Sequence, residues 1–342
     1  MFVPVKSKSG KKLMPTHPNK AGMLIKKGLA TPYWSNGIFC IRLNYETEEA
    51  YTQDIVVGVD PGSQKEGLTV KSESHTYLNI QADAHSGVGK KVAKRRELRR
   101  SRRSRKCPNR RNRKNRNAGK AKIPAGTRAR WDWKLRILDW LSKLYPVTHV
   151  CVEDIKARTI ERAKKWNQSF SPLEVGKQWF YAEIRKRWQL LTLQGWETKE
   201  IRDRLGLKKS SDKLAETFNA HCVDSWCLAH HTVGGVSIPE NTDIFCIAPI
   251  RIKRRSLHRE QEAKGRQRDR YGGTVLGNGL VKNTLIKHAK YGLTRLAGVN
   301  AKGLFSIYTL EGKRLTTGAK RNDFRVLTRL NFNYRSGHSS QT

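Results

Sequence analysis

The stretch Asp54–Gly62, DIVVGVDPG, decides the fold. Its apolar residues run continuously rather than alternating, the pattern of a strand covered on both faces. The run ends in a carboxylate, Asp60, and Pro61-Gly62 then force a turn. Outward from it, Leu68–Val70 and Thr76–Ile80 read as the strands of a following hairpin. His149–Ile155 (HVCVEDI) repeats the first pattern, a buried strand ending in acid. Between them lies Trp131–Tyr145, where Leu135, Leu138, Leu141 and Leu144 recur at helical spacing. Trp166–Leu193 is helical in pattern, and Leu205–Asp212 reads as a short basic linker. Ser211–His231 then reads as one helix with Ser211 or Asp212 as N-cap. This order predicts an α/β domain in which two parallel strands end side by side and a helix packs over them.

The same order brings three acids together: Asp60 and Glu153 at strand ends, Asp224 on the last helix. Three carboxylates that close repel one another unless a cation joins them. With two Mg²⁺ ions, for which Mn²⁺ can substitute, they form a phosphodiester-cleaving site. Asp60, Glu153 and Asp224 are therefore the expected metal ligands. His221, at i, i+3 from Asp224 on one helical face, completes the catalytic set by taking or orienting the water proton. Asp154 competes with Glu153, because adjacent strand residues face opposite ways. Gly62 and Gly67 are expected to let a nucleic-acid backbone approach.

Charge names the partner class. Among 342 residues, 69 Lys and Arg stand against 29 Asp and Glu, a net charge of +40 with mean hydropathy −0.70. Such a chain repels itself unless something anionic neutralises it, which points to nucleic acid. No apolar run reaches the roughly 18 residues that a membrane span needs. Met1–Lys11 carries no apolar signal core, so a cytoplasmic, nucleoid-associated protein is expected. Six scattered cysteines include no C-x-x-C pair, which excludes a zinc ribbon and a disulfide framework. From Lys90 to Arg116 there are 16 Lys or Arg and one acid, Glu97. The arginines there can grip phosphates in bidentate fashion without reading sequence.

VVGVDPGSQKEGL, THVCVEDI and AHCVDSWCLA resemble the three motifs of RuvC-like nucleases with the RNase H fold. Arg99-Arg100-Ser101-Arg102-Arg103 resembles the RRxRR signature of IscB and IsrB proteins, and Lys12–Pro18 (KLMPTHP) resembles their PLMP segment with Lys12 in place of the first proline. IscB proteins carry an HNH nuclease between the second and third RuvC motifs. The interval from Glu153 to His221 has neither its paired His and Asn nor zinc-binding cysteines. The chain therefore resembles the IsrB family, which has one nuclease site.

That resemblance implies a monomeric protein that binds a large guide RNA (ωRNA), recognises duplex DNA beside an adjacent motif, and nicks the displaced strand. It implies the roles given above for Asp60, Glu153, His221 and Asp224. It also implies an arginine-rich bridge helix in which Arg95, Arg96, Arg99, Arg100, Arg102, Arg103 and Arg105 hold RNA and heteroduplex. The implied organisation is an N-terminal PLMP-like module (1–53), RuvC part I (54–88), the bridge helix (89–120) and RuvC part II (121–160). A helical linker in place of HNH (161–210), RuvC part III (211–246) and a basic β-rich module reading the adjacent motif (247–342) follow. In the first module, Phe2–Val5 and Gly37–Leu43 have strand character and Asn19–Leu29 has helical spacing; Phe305–Leu310 and Arg314–Thr317 read as a hairpin in the last. Two rival readings are a RuvC-type junction resolvase acting without a guide and a binding protein whose nuclease site has decayed.

Overall fold

The computed structural model describes residues 2–47, 51–106, 123–156, 171–212, 215–249, 260–261, 266–267, 276–277, 279–300, 302–329 and 332–336. At the N-terminus, β1 (Val3–Lys6), β2 (Lys12–Thr16), α1 (Pro18–Lys26), β3 (Ala30–Ser35) and β4 (Ile38–Leu43) make a sheet ordered β2-β1-β4-β3. Ala21 of α1 joins Val3, Val5, Leu13 and Ile41 in its core. The helix stops before Leu29 because Gly28 takes a left-handed φ of +71°, which turns the chain into β3.

The central elements are β5 (Ile55–Asp60), β6 (Lys65–Lys71), β7 (Thr76–Asp83), α2 (Val88–Lys106), α3 (Ala125–Leu141) and β8 (Val147–Asp154). They continue through α4 (Pro172–Arg185), β9 (Gln189–Gln194), α5 (Gly195–Arg204), α6 (Phe218–His221), α7 (Val223–Val233) and β10 (Ile244–Pro249). Two short ribbons follow, β11 (Glu260–Gln261) with β12 (Arg266–Gln267) and β13 (Leu276–Gly277) with β14 (Leu280–Val281). A five-stranded sheet comes next: β15 (Thr284–His288), β16 (Gly292–Val299), β17 (Phe305–Tyr308), β18 (Arg314–Ala319) and β19 (Phe324–Arg329). Finally β20 (Phe332–Ser336) returns to the centre, pairing antiparallel with β10.

The central sheet runs β20-β10-β7-β6-β5-β8-β9. Its inner five strands, numbered from β5, stand in the order 3-2-1-4-5. The second strand is antiparallel to its neighbours, and β8 and β9 run parallel to β5. That is the topology of the RNase H fold, so the α/β class expected from the strand pattern and the RNase H-like fold implied by the motif resemblance are both observed.

Strand parity divides the core. Val57, Val59, Leu68, Val70, Val150 and Val152 face α3 and α4, packing with Trp133, Leu138 and Phe180. Val56 and Cys151 face the other way, against Leu228 and Ala229 of α7. Trp226 of α7 is fully buried and donates to Thr76 Oγ1 at 2.9 Å, which fixes that helix against the sheet. No helix among the described residues is long and apolar enough to cross a membrane. The five described cysteines, Cys40, Cys151, Cys222, Cys227 and Cys246, are buried.

Three expectations need correction. The helix expected over Trp166–Leu193 is confined, in its described part, to α4, where Ser171 caps Glu174 N–H at 3.2 Å and Pro172 opens the first turn. Gln189–Gln194 is a strand, β9, because pairing with β8 gives its backbone the hydrogen bonds that a helix would otherwise supply. The single helix expected over Ser211–His231 starts only at Phe218 and breaks at Cys222 into α6 and α7. Asp212 accepts from Ala215 N–H at 3.3 Å in a local turn instead of capping that helix.

Candidate active site

Asp60 ends β5 and Glu153 lies one residue from the end of the parallel neighbour β8, with Val59 paired to Val152. Both acids project from the face covered by α7, since they share parity with Val56 and Cys151. The same parity sends Asp154 to the opposite face. There it accepts from Tyr181 Oη (3.0 Å) and Gln194 Nε2 (2.9 Å) and pairs with Lys177 at 2.7 Å. The competition between neighbours is therefore resolved by the sheet: Glu153 faces Asp60, and Asp154 pins α4 and β9.

Two glycines let α6 and α7 descend onto this face. A Cβ on Gly58 would lie 1.9 Å from the Ser225 carbonyl, and one on Gly67 would lie 1.7 Å from the His221 carbonyl. Gly67, opposite Asp60 in the β5–β6 register, thus makes room for this chain's own helix rather than for nucleic acid. Gly62 meets the Lys65 carbonyl of its own loop. The close approach brings Asp224, in the first turn of α7, toward Asp60. Helix-end N–H groups favour an anion at that position. His221 ends α6, half-buried, with its backbone on β6.

Burial pushes the Asp60 carboxyl up to about 8. The neighbouring Glu153 charge adds to this, Lys209 opposes it, and a hydrogen bond with Glu153 and the Asp224 charge raise it further. The three acids thus sense one another.

Reasoning from sequence missed the basic side of the site. β9 leads into α5 at Gly195, where an added Cβ would sit 2.9 Å from Glu153 Oε1. A capping box holds that turn: Gln194 N–H donates to Glu197 Oε2 at 2.5 Å. Near the far end of α5, Arg202 donates to Asp224 Oδ1 at 2.6 Å. The chain then turns at Gly206 (φ +68°) and brings back Lys209, which bonds Asp224 Oδ2 and lies 3.8 Å from Asp60 Oδ2. Burial disfavours the Lys209 charge, yet Asp60, Asp224 and Glu153 together hold its pKa above the ordinary lysine value. Among 69 Lys and Arg no sequence signal singles out Arg202 or Lys209.

The donor set suits a hard divalent cation, being carboxylate oxygen throughout. Asp60 fits it directly, because burial and the neighbouring Glu153 charge disfavour its ionisation and a cation relieves both, and Glu153 lies beside it on the same face. Asp224 fits once its Oδ2 leaves Lys209, with Oδ1 still held by Arg202. Among the described residues no three His, Cys, Asp or Glu side chains are gathered as a finished metal cage.

Away from this site, Arg95, Arg96, Arg99, Arg100, Arg102, Arg103 and Arg105 are all exposed on α2. The basic segment beyond Lys106, to Arg116, lies outside the described residues.

Residues 3–166 match the RRXRR protein family. That span covers the first module, β5 to β8 and the arginine helix. Three solved structures are similar to about half of the chain. T. thermophilus RuvC in complex with Holliday junction substrate is 12% identical over 53% of this chain and 97% of that one, with a TM-score of 0.29. The yeast mitochondrial Holliday junction resolvase Ydc2 is 14% identical over 53% and 78%, with a TM-score of 0.26. A second Thermus thermophilus RuvC structure is 16% identical over 51% and 90%, with a TM-score of 0.19. No curated protein matches the chain in sequence. The fold assignment rests on the strand order and register given above.

Proposed function

We propose that this chain is an RNA-guided endodeoxyribonuclease of the IsrB type, which holds a large guide RNA and nicks the displaced strand of duplex DNA. The observation that carries this reading is the convergence of Asp60, Glu153 and Asp224 on one face of an RNase H-like sheet. Seven exposed arginines on α2 support the RNA partner, since backbone-binding charge is what guided recognition asks of a protein. The matched RRXRR span supports it as well.

In this reading Asp60, Glu153 and Asp224 hold two Mg²⁺ ions, which supply an activated water and stabilise the leaving oxygen. Asp60, Glu153 and Asp224 would supply the carboxylate oxygens that hold them. His221 orients the attacking water or accepts its proton. Residues 89–120 grip the guide and its heteroduplex, and residues 247–342 read the adjacent motif on the target. One site cuts one strand, leaving a 5′-phosphate and a 3′-hydroxyl.

The test is to express the chain with its native flanking DNA, sequence the bound RNA, and assay nicking of a matching supercoiled plasmid with Mg²⁺. A defined RNA and guided nicking are expected. Asp60→Ala should abolish nicking and leave target binding intact, because the binding charge lies elsewhere. Unchanged nicking in that variant would refute the assigned site. RNA-independent cleavage of a four-way junction would establish the resolvase reading instead. Efficient linearisation at one target would contradict the single-site reading.

A further inference from the structure

The carboxylate cluster already contains a cation. Lys209 reaches Asp60 and Asp224 together, and Arg202 takes the other oxygen of Asp224. The two basic groups differ in how they are held. Arg202 is only 15% exposed and extends from a helix, whereas Lys209 is 38% exposed at the end of a flexible stem. The backbone under Lys209 is fixed on both sides. Leu205 N–H and Leu207 N–H donate to Ile201 (3.1 Å) and Arg202 (3.0 Å), and Ser210 N–H donates to the Asn219 carbonyl at 2.9 Å. Leu205 and Leu207 also pack on the core that includes Trp226. The Lys209 ammonium can therefore leave the site by rotating its side chain toward solvent, with no rearrangement of the fold.

We infer that Lys209 is the resident counter-cation of the site, and that a divalent cation binds by exchanging with its ammonium while Arg202 keeps Asp224 positioned. Lys209 thereby sets the metal affinity. Without metal it neutralises acids that would otherwise repel; once displaced, its charge is free at the rim of the site, where a DNA phosphate arrives. This inference rests on the metal site proposed above. Lys209 and Arg202 are positioning residues, acting through Asp60 and Asp224.

The experiment is Mn²⁺ binding to the full-length protein, followed by electron paramagnetic resonance, for wild type, Lys209→Met, Lys209→Arg and Asp60→Asn. Lys209→Met should bind Mn²⁺ about tenfold more tightly, the equivalent of one charge-assisted hydrogen bond removed from the competing state. Its metal-free Tm should fall, and its gain in Tm on Mn²⁺ addition should exceed that of wild type. Lys209→Arg should restore wild-type affinity. If Asp60→Asn abolishes this binding but Lys209→Met leaves it unchanged or weaker, the exchange is refuted and the metal site stands. If Asp60→Asn leaves binding unchanged, the metal site itself fails and the exchange with it. A second readout needs no variant: reductive methylation of wild-type Lys209, followed by mass spectrometry, should increase when Mn²⁺ or Ca²⁺ is added. Unchanged or reduced labelling would overturn the exchange.

Discussion

Two lysine–carboxylate arrangements lie on opposite faces of the same sheet, and they do opposite things. On the α3 face, Lys134 Nζ meets Glu66 Oε1 at 2.7 Å, with side chains 3% and 0% exposed. The ammonium also lies 4.7 Å from the centre of the Trp131 ring. Burial pushes the Glu66 carboxyl up, and the Lys134 charge opposes it. On the α7 face, Lys209 meets two acids with a third nearby, and its own side chain is 38% exposed. One acid with one sealed base is a structural pair. Three acids, with Arg202 on Asp224 and one base that can reach solvent, gather carboxylate oxygens around an exchangeable cation, and that is what a metal site needs.

The comparison can be broken first on its sealed side. Lys134→Met leaves Glu66 buried without its partner, and stability should fall by about 3–5 kcal/mol. Denaturant unfolding measures this, and adding Glu66→Gln should recover part of it, because the two positions are coupled. On the open side, Glu153→Gln should reduce nicking by on the order of 10²–10³-fold, read in single-turnover plasmid assays, with little change in stability. Gly67→Ala drives a methyl group into the His221 carbonyl and should cost about 1–3 kcal/mol. It should also lower nicking, because α6 and α7 must lift away from Asp60. Asp154→Asn, one residue from Glu153, should cost about 1–2 kcal/mol through weaker bonds to Lys177 and Tyr181. Nicking by the folded fraction should be nearly unchanged.

The two faces also differ in their response to pH. Asp60 is pushed up to about 8 in the folded protein, against roughly 3.9 in an unfolded chain. Between those values the folded state holds a proton that the unfolded state has released. This group's contribution to metal-free stability therefore falls as pH rises from about 4 to about 8, and is level above that. Thermal scans of Asp60→Asn across this range should lack that part of the slope. The Lys134–Glu66 side contributes no corresponding change on metal addition, which is how the two faces are told apart in one titration.

Much of the acidic half of the site was legible. Continuous apolar runs ending in Asp60 and in Glu153-Asp154 identified two buried strands and their ends, because burial on both faces leaves a local mark on composition. Asp224 was visible as an acid on an amphipathic helix, although that helix proved shorter and broken at Cys222. The basic half was not legible. β9 carries only six residues, and its helix-compatible leucines masked it. Lys209 sat in a stretch that read as a linker.

By itself, then, the sequence determined the α/β class, the two buried strands ending in acid with an amphipathic helix between them, and the positive charge. These follow from periodicity and composition, which each segment carries alone. Tertiary structure decided that Glu153 rather than Asp154 faces Asp60, that Gly67 admits a helix, and that Arg202 and Lys209 close the site. Those outcomes depend on which side chains meet across long separations in sequence. They are set by strand register and helix packing, which no single segment contains.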